Sequence, residues 1–240
     1  MTTLVSGFIS NVNNRDDRNL KIYYNLGKKI LKSENKKIIF VDELMYDLMK
    51  NDEYPNTIII KYDKNESYLW KNKDKIEKFK LNTNNPNKDT LDYMLTMCNK
   101  TEIIRKAIEM NPFDTDNFVW LDFGINHVFH CSDKMFDNYL NKLNKKYDKI
   151  RIGHIWDLSY DYNINIYKNI CWYFAGGIFG GNEDYLLYFA DEMKSKCEYI
   201  INKYGTIMWE VNIWYKIYLE NQELFEPYLC NHDYTIMDNY

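Results

Sequence analysis

The 240-residue chain is 45% hydrophobic, 28% charged and 17% aromatic, with a formal net charge of −4. A sequence of this length and balance folds as one α/β domain or two small ones and buries a sizeable core, which excludes a disordered segment. The negative balance excludes a nucleic-acid partner, which would require a clustered cationic surface. The basic runs at residues 71–75 and 142–149 are interleaved with acids and polar residues, and read as solvated helix faces.

An apolar strand is predicted over residues 3–9, followed by a polar loop at 11–17. In α/β folds this first strand end commonly holds a nucleotide, which by position singles out Ser6, Phe8 and Arg15. The opening apolar run is short and lacks a basic flank, unlike a signal peptide. No stretch reaches the ~18 apolar residues of a membrane helix, so a cytoplasmic chain without a membrane span is expected. A helix follows with Leu20, Tyr23, Tyr24, Leu26, Ile30 and Leu31 on one side, then strands over 37–41 and 57–60. Residues 71–80 are predicted helical, 82–87 a loop, and 89–110 one helix capped by Asp89 or Thr90 and stopped by Asn111-Pro112. Lys88, Asp89, Thr90, Tyr93 and Lys100 either line a pocket, with Lys100 countering phosphate charge, or serve as a cap and a solvated lysine.

The next strand, 117–121, ends at Asp122-Phe123-Gly124. His127 and His130 lie three apart, a spacing that on a strand sends them to opposite faces, so they are not read as a metal pair. A polar helix at 134–146 precedes strands at 150–156 and 170–179, the latter broken by Gly176-Gly177. Helices at 183–204 and 209–219 and mixed structure at 230–237 complete the chain. Strand–helix alternation predicts a mostly parallel sheet covered on both faces, with ligands outside the carboxyl ends of the strands.

The polar motifs sit at those predicted strand ends. A carboxylate straight after a buried strand, as at Asp122, is held rigidly enough to bind a divalent cation or a ribose hydroxyl; a turn aspartate bonding its own backbone is the plainer reading. Residues 172–181 hold four of the nine glycines among aromatics. Gly176, Gly177 and Phe179 would form a wall for a sugar ring, or a bulged strand at a tight packing site. Glu210 stands in an aromatic setting at a helix start, where desolvation would raise its pKa, or where the helix dipole alone favours it. His232 is a lone histidine that in isolation reads as structural. Five dispersed cysteines without CxxC spacing point to reduced thiols. Asn, Lys, Ile and Tyr are over-used, as in AT-rich genomes, so a lone Tyr or Asn carries little weight.

Taken together, 3–8, 87–90, 111–113, 118–125, 175–181, 209–215 and His232-Asp233-Tyr234 resemble, in order, the WlaTC/HtrL-like family of glycosyltransferases. A weaker similarity reaches the ABO-type (family 6) enzymes: Ile178-Phe179-Gly180-Gly181 is similar to their Phe-Phe-Gly-Gly, and Trp209-Glu210-Val211-Asn212 to the segment that follows it. That resemblance implies a GT-A-like (Rossmann-like) fold, UDP-sugar donors, and manganese held by an Asp-x-Asp motif. Asp122 would be its first Asp and Glu210 the catalytic-site carboxylate. The second Asp is Gly124 here, and His232 is placed to serve as a C-terminal metal ligand.

The expectation is a single GT-A-like glycosyltransferase domain over 1–240, with a nucleotide-binding half at 1–125 and a sugar/acceptor half at 126–240. It would move a sugar from a nucleotide-sugar donor, UDP-linked, to an acceptor hydroxyl on a glycan. Asp122 and Glu210 would act in catalysis. Ser6, Phe8, Arg15, Asp89, Lys100, Asp122, Gly176, Gly177 and Phe179 would bind the donor, and Asp122 with His232 would hold Mn²⁺ or Mg²⁺. The alternative is a non-catalytic nucleotide-sugar or glycan-binding protein. A homo-oligomer is left open.

Overall fold

The computed structural model describes residues 1–129 and 131–240, so His130, and with it the His127/His130 reading, lies outside the described residues. Its strands are β1 (Thr2–Phe8), β2 (Lys37–Val41), β3 (Thr57–Lys61), β4 (Asn117–Leu121), β5 (Ile150–His154), β6 (Phe174–Asn182) and β7 (Phe225–Leu229). They form one sheet in the order β3-β2-β1-β4-β6-β5-β7. β6 runs antiparallel to β4 and β5, and the other neighbours pair in parallel.

Period-two alternation distributes the strand side chains between two cores. Val5, Phe118, Trp120 and Phe179 pack on one face, beneath α5 (Lys100–Met110), α7 (Glu183–Tyr204) and α8 (Glu210–Glu220). Leu4, Val119, Leu121 and Ile178 turn to the other, against α6 (Asp133–Lys142) and α9 (Thr235–Asp238). α1 (Leu20–Leu31) and α2 (Glu43–Met49) close that face over β2 with Leu31, Met45, Met49 and Phe123. The mostly parallel, helix-flanked sheet expected from the sequence is present. No helix among the described residues is long and apolar enough to cross a membrane.

Local chemistry sets the helix ends. Asn19, Asp42, Ser132 and Asn182 each accept a backbone N–H as N-caps, and Gly205 ends α7 in the left-handed region at φ 60°. Several elements depart from the sequence reading, among them α2, which it did not foresee. Residues 71–80 form only the end of the one-turn α3 (Tyr68–Lys71) and a 3-10 turn at Lys73–Lys75. Only Ile76 of that stretch is buried, too little apolar surface to hold a short helix. The predicted 89–110 helix is two, α4 (Leu91–Cys98), capped by Thr90, and α5. Between them Asn99 is fully buried, its amide donating to the Tyr62 hydroxyl at 2.8 Å and accepting from Ser67 at 2.7 Å. β6 runs unbroken through Gly176-Gly177, although its ladder with β5 shifts register there and its ladder with β4 begins only at Ile178. β7, unforeseen because Pro227 interrupts its apolar run, adds in parallel to β5 as an edge strand, where proline is tolerated.

Gly27 of α1 supports the turn that follows β4, since a Cβ there would overlap the Phe123 ring. Overpacking by about 1–3 kcal/mol outweighs the helix-propensity gain of up to ~1 kcal/mol. Gly27→Ala therefore lowers the melting temperature by a few degrees. An unchanged or raised value would show that Phe123 can move aside freely.

Candidate active site

β1 and β4 are parallel neighbours, so their carboxyl ends open on the same edge of the sheet. There a cavity of about 740 Å³ is lined by Phe8, Arg15, Tyr93, Lys100, Asp122 and Glu210, among others. Asp122 is fixed at its floor by the end of β4: its backbone N–H donates to Gly177 O at 2.9 Å, and Trp120 Nε1 donates to its Oδ1 at 2.7 Å. Because β6 is reversed, its early glycines, rather than its end, lie beside Asp122.

Lys100, the first residue of α5, joins the floor together. Its Nζ lies 2.9 Å from Asp122 Oδ1 and 3.2 Å from Oδ2, and it donates to Gly176 O at 2.8 Å and Glu210 Oε1 at 3.0 Å. Lys100 and Glu210 are each 1% exposed, whereas the Asp122 side chain is 33% exposed. Burial works against the ammonium, but Asp122 and Glu210 together hold its pKa above the ordinary lysine value. Burial lifts the Glu210 carboxyl above its usual range against the pull of Lys100, and Asp122 adds to the lift. Glu210 Oε2 is buried with no hydrogen-bond partner. The floor is thus a lysine between two carboxylates, one of them carrying an oxygen with unused accepting capacity.

The glycines are explained by close approach. A Cβ on Gly176 would come within 2.6 Å of Glu210 Oε1, and one on Gly177 within 2.5 Å of the Ile125 side chain. Both also line the cavity.

Not every expected donor-binding residue reaches the cavity. Phe8 and Arg15 line it, as do Lys88 and Tyr93. Ser6 does not: it is buried one strand position deeper and donates to Leu121 O at 2.6 Å. Phe179 packs into the core against Trp214, with ring centroids 4.9 Å apart, and is no sugar wall because alternation turns it towards α7 and α8. Asp89 is buried behind the wall, accepting from the Thr83 hydroxyl with Lys88 3.4 Å away. Lys100 lines the cavity but is not solvated; it is buried between the two carboxylates. Arg18, Trp172 and Trp209 line the cavity without having been singled out, as does His127, considered above only as half of a metal pair. Trp172 and Trp209 meet edge to face at 5.0 Å, and the aromatic flanks of the glycine and Glu210 segments were their only sequence signal.

A divalent cation fits this floor poorly. Both oxygens of Asp122 are engaged, and the nearest neighbour is itself a cation. His232 lines the cavity but packs its ring against the edge of Trp172 at 5.0 Å. Among the described residues, no three His, Cys, Asp or Glu side chains gather to hold a metal ion. The expected Asp122/His232 centre for Mn²⁺ or Mg²⁺ is therefore not supported, because Lys100 already supplies the counter-charge.

Comparison with known proteins places the sequence. A family model described as "Bacterial protein of unknown function (HtrL_YibB)" matches residues 2–207. No curated protein matches. Among solved structures, the chain is similar to mouse xyloside xylosyltransferase 1 in its apo form, with 12% identity over 95% of this chain and 85% of that one, TM-score 0.48. It is also similar to a glycosyltransferase involved in glycosylation of the major capsid of PBCV-1, with 13% identity over 95% and 80%, TM-score 0.47. A third is 4-diphosphocytidyl-2C-methyl-D-erythritol synthase from Anaerococcus prevotii, with 8% identity over 96% and 89%, TM-score 0.44.

Proposed function

The chain belongs to the HtrL_YibB family, and from its cavity we propose that it is a glycosyltransferase moving a sugar from a nucleotide-sugar donor, UDP-linked, to an acceptor hydroxyl on a glycan. The observation that supports this most is the Asp122–Lys100–Glu210 cluster at the floor of a cavity at the carboxyl ends of β1 and β4. Ligands of open α/β sheets bind at such an edge, and the cavity's size suits a nucleotide-sized ligand. Three of the segments resembling glycosyltransferases, 118–125, 175–181 and 209–215, carry the acceptors that Lys100 joins at this floor.

In this reading the nucleotide lies over the first half, 1–125, near Phe8 and Arg15. The sugar and acceptor lie over 126–240, near Gly176 and Gly177. Asp122, the more exposed carboxylate, accepts hydrogen bonds from donor hydroxyls. The acceptor oxygen bonds to the anomeric carbon as the bond to the diphosphate breaks, its electron pair leaving with the nucleoside diphosphate. Glu210, with its free oxygen and raised pKa, takes the hydroxyl proton or stabilises positive charge developing on the sugar.

Purified protein incubated with isotope-labelled UDP-sugars tests this directly. Labelled product, whether transferred or hydrolysed, is expected; binding without turnover would make it a nucleotide-sugar-binding protein instead. Glu210→Gln should lower turnover about 10²-fold or more while changing donor affinity little, measured as separate kcat and Kd values. Equal losses in both would assign Glu210 to binding.

A further inference from the structure

The floor and the wall of the cavity divide their charges unequally. On the floor, Lys100 faces two carboxylates and a carbonyl and has no capacity left for a ligand. On the wall stand Arg15, Arg18 and Lys88, opposed among the lining residues only by Asp16. Arg15 pairs with Asp17 through both Nε, at 2.9 Å, and Nη2. Arg18 approaches the same Asp17 only to 4.0 Å, beyond hydrogen-bond range. Lys88 lies 3.4 Å from Asp89 and over the rings of Tyr93 and Trp209. Arginine forks match the oxygens of a phosphate, and a lysine supplies a point charge. Mg²⁺ or Mn²⁺ would instead need anionic oxygens free to turn to it. Of the carboxylates that line the cavity, Asp122 is held by Trp120 and Lys100, Glu210 is buried against Lys100, and Asp16 stands in the loop between Arg15 and Arg18; two residues after Asp122 stands Gly124.

We propose that this protein binds the donor's diphosphate without a divalent metal, through Arg15, Arg18 and Lys88, while the Lys100 ammonium occupies the place on Asp122 that a metal ion would take. The inference rests on the reading that a nucleoside diphosphate occupies this cavity. Cations already fixed on the wall would also offset the charge that builds on the diphosphate as it leaves.

Calorimetric titration of the full chain with UDP, GDP, CDP and ADP, in EDTA and again in Mn²⁺, tests it. At least one nucleotide should bind in EDTA, with a Kd within about twofold of that in Mn²⁺ and weakening as salt is raised. In EDTA, Arg18→Gln and Lys88→Gln should each raise that Kd about tenfold, and Arg18→Lys should raise it less, because it keeps the charge. Both positions are on the cavity wall outside the core, and unchanged melting temperatures would confirm folding. Binding that appears only with Mn²⁺, or tightens tenfold with it, would overturn the metal-free clamp and leave the glycosyltransferase reading standing. Glutamine variants that bind like the parent would also overturn the clamp. Binding of none of the four nucleotides in either condition would overturn both.

Discussion

Lys100→Met lowers the melting temperature by on the order of 10 °C at pH 7. Methionine fills the same space but leaves Glu210 buried without its counter-charge. Removing one partner of a buried ion pair costs about 3–5 kcal/mol, and each kcal/mol is worth roughly 2–4 °C in a chain of this size. The sign of the pH dependence follows from Glu210, whose folded pKa already lies above 4.5 because burial outweighs Lys100. A carboxyl raised in this way holds its proton in the folded state where the unfolded chain has released it. Its stabilising contribution is therefore present at low pH and lost as pH rises from the unfolded value through the folded one. Without Lys100 the folded value climbs further, so the variant's deficit relative to the parent shrinks on acidification. Glu210→Gln in the same chain should recover part of the loss, a coupling that a double-mutant cycle measures. A deficit independent of pH and unrelieved by the second substitution would mean that Lys100 serves packing alone.

If the chain catalyses the proposed sugar transfer, Asp122→Asn reduces it by about 10²-fold or more while shifting the melting temperature by no more than about 2 °C. The carboxylate is one-third exposed at the cavity floor, and the remaining oxygen of asparagine can still accept from Trp120 or Lys100. Lys100 also keeps Glu210 as its counter-ion, so the loss of one charge leaves no uncompensated buried group. Labelled-donor assays normalised to folded protein measure the effect. Transfer per folded molecule equal to that of the parent would remove Asp122 from the chemistry, and a collapse in stability would make it structural.

The first half of the fold was legible because its signals are local. Apolar runs gave β1, β2, β3 and β4 within a residue or two, and residues 183–204 coincide with α7. What escaped depends on distant partners. Nothing near Asn99 announces a joint, because the groups that satisfy its side chain, Tyr62 and Ser67, are 37 and 32 residues away. Gly176-Gly177 look like a strand break, yet β6 continues through them beside a bulge in its ladder with β5. At the floor, Asp122 and Glu210 were visible as carboxylates beside apolar runs. Lys100 reads locally as a solvated or phosphate-facing side chain, since its partners lie 22 and 110 residues along the chain. Alternation along β6 would have turned Phe179 inward, had the side of the strand facing the opening been known, whereas Ser6 was missed because it sits deeper along β1.

The ammonium of Lys100 also acts as a mechanical tie. Its acceptors belong to the turn after β4, to β6 and to the first residue of α8, segments that meet nowhere in sequence. Fraying of any one of them would strand a charge in a dry interior, so they should open together or not at all. The floor should therefore behave as one rigid plate, independent of the loop that bears Arg15 and Arg18.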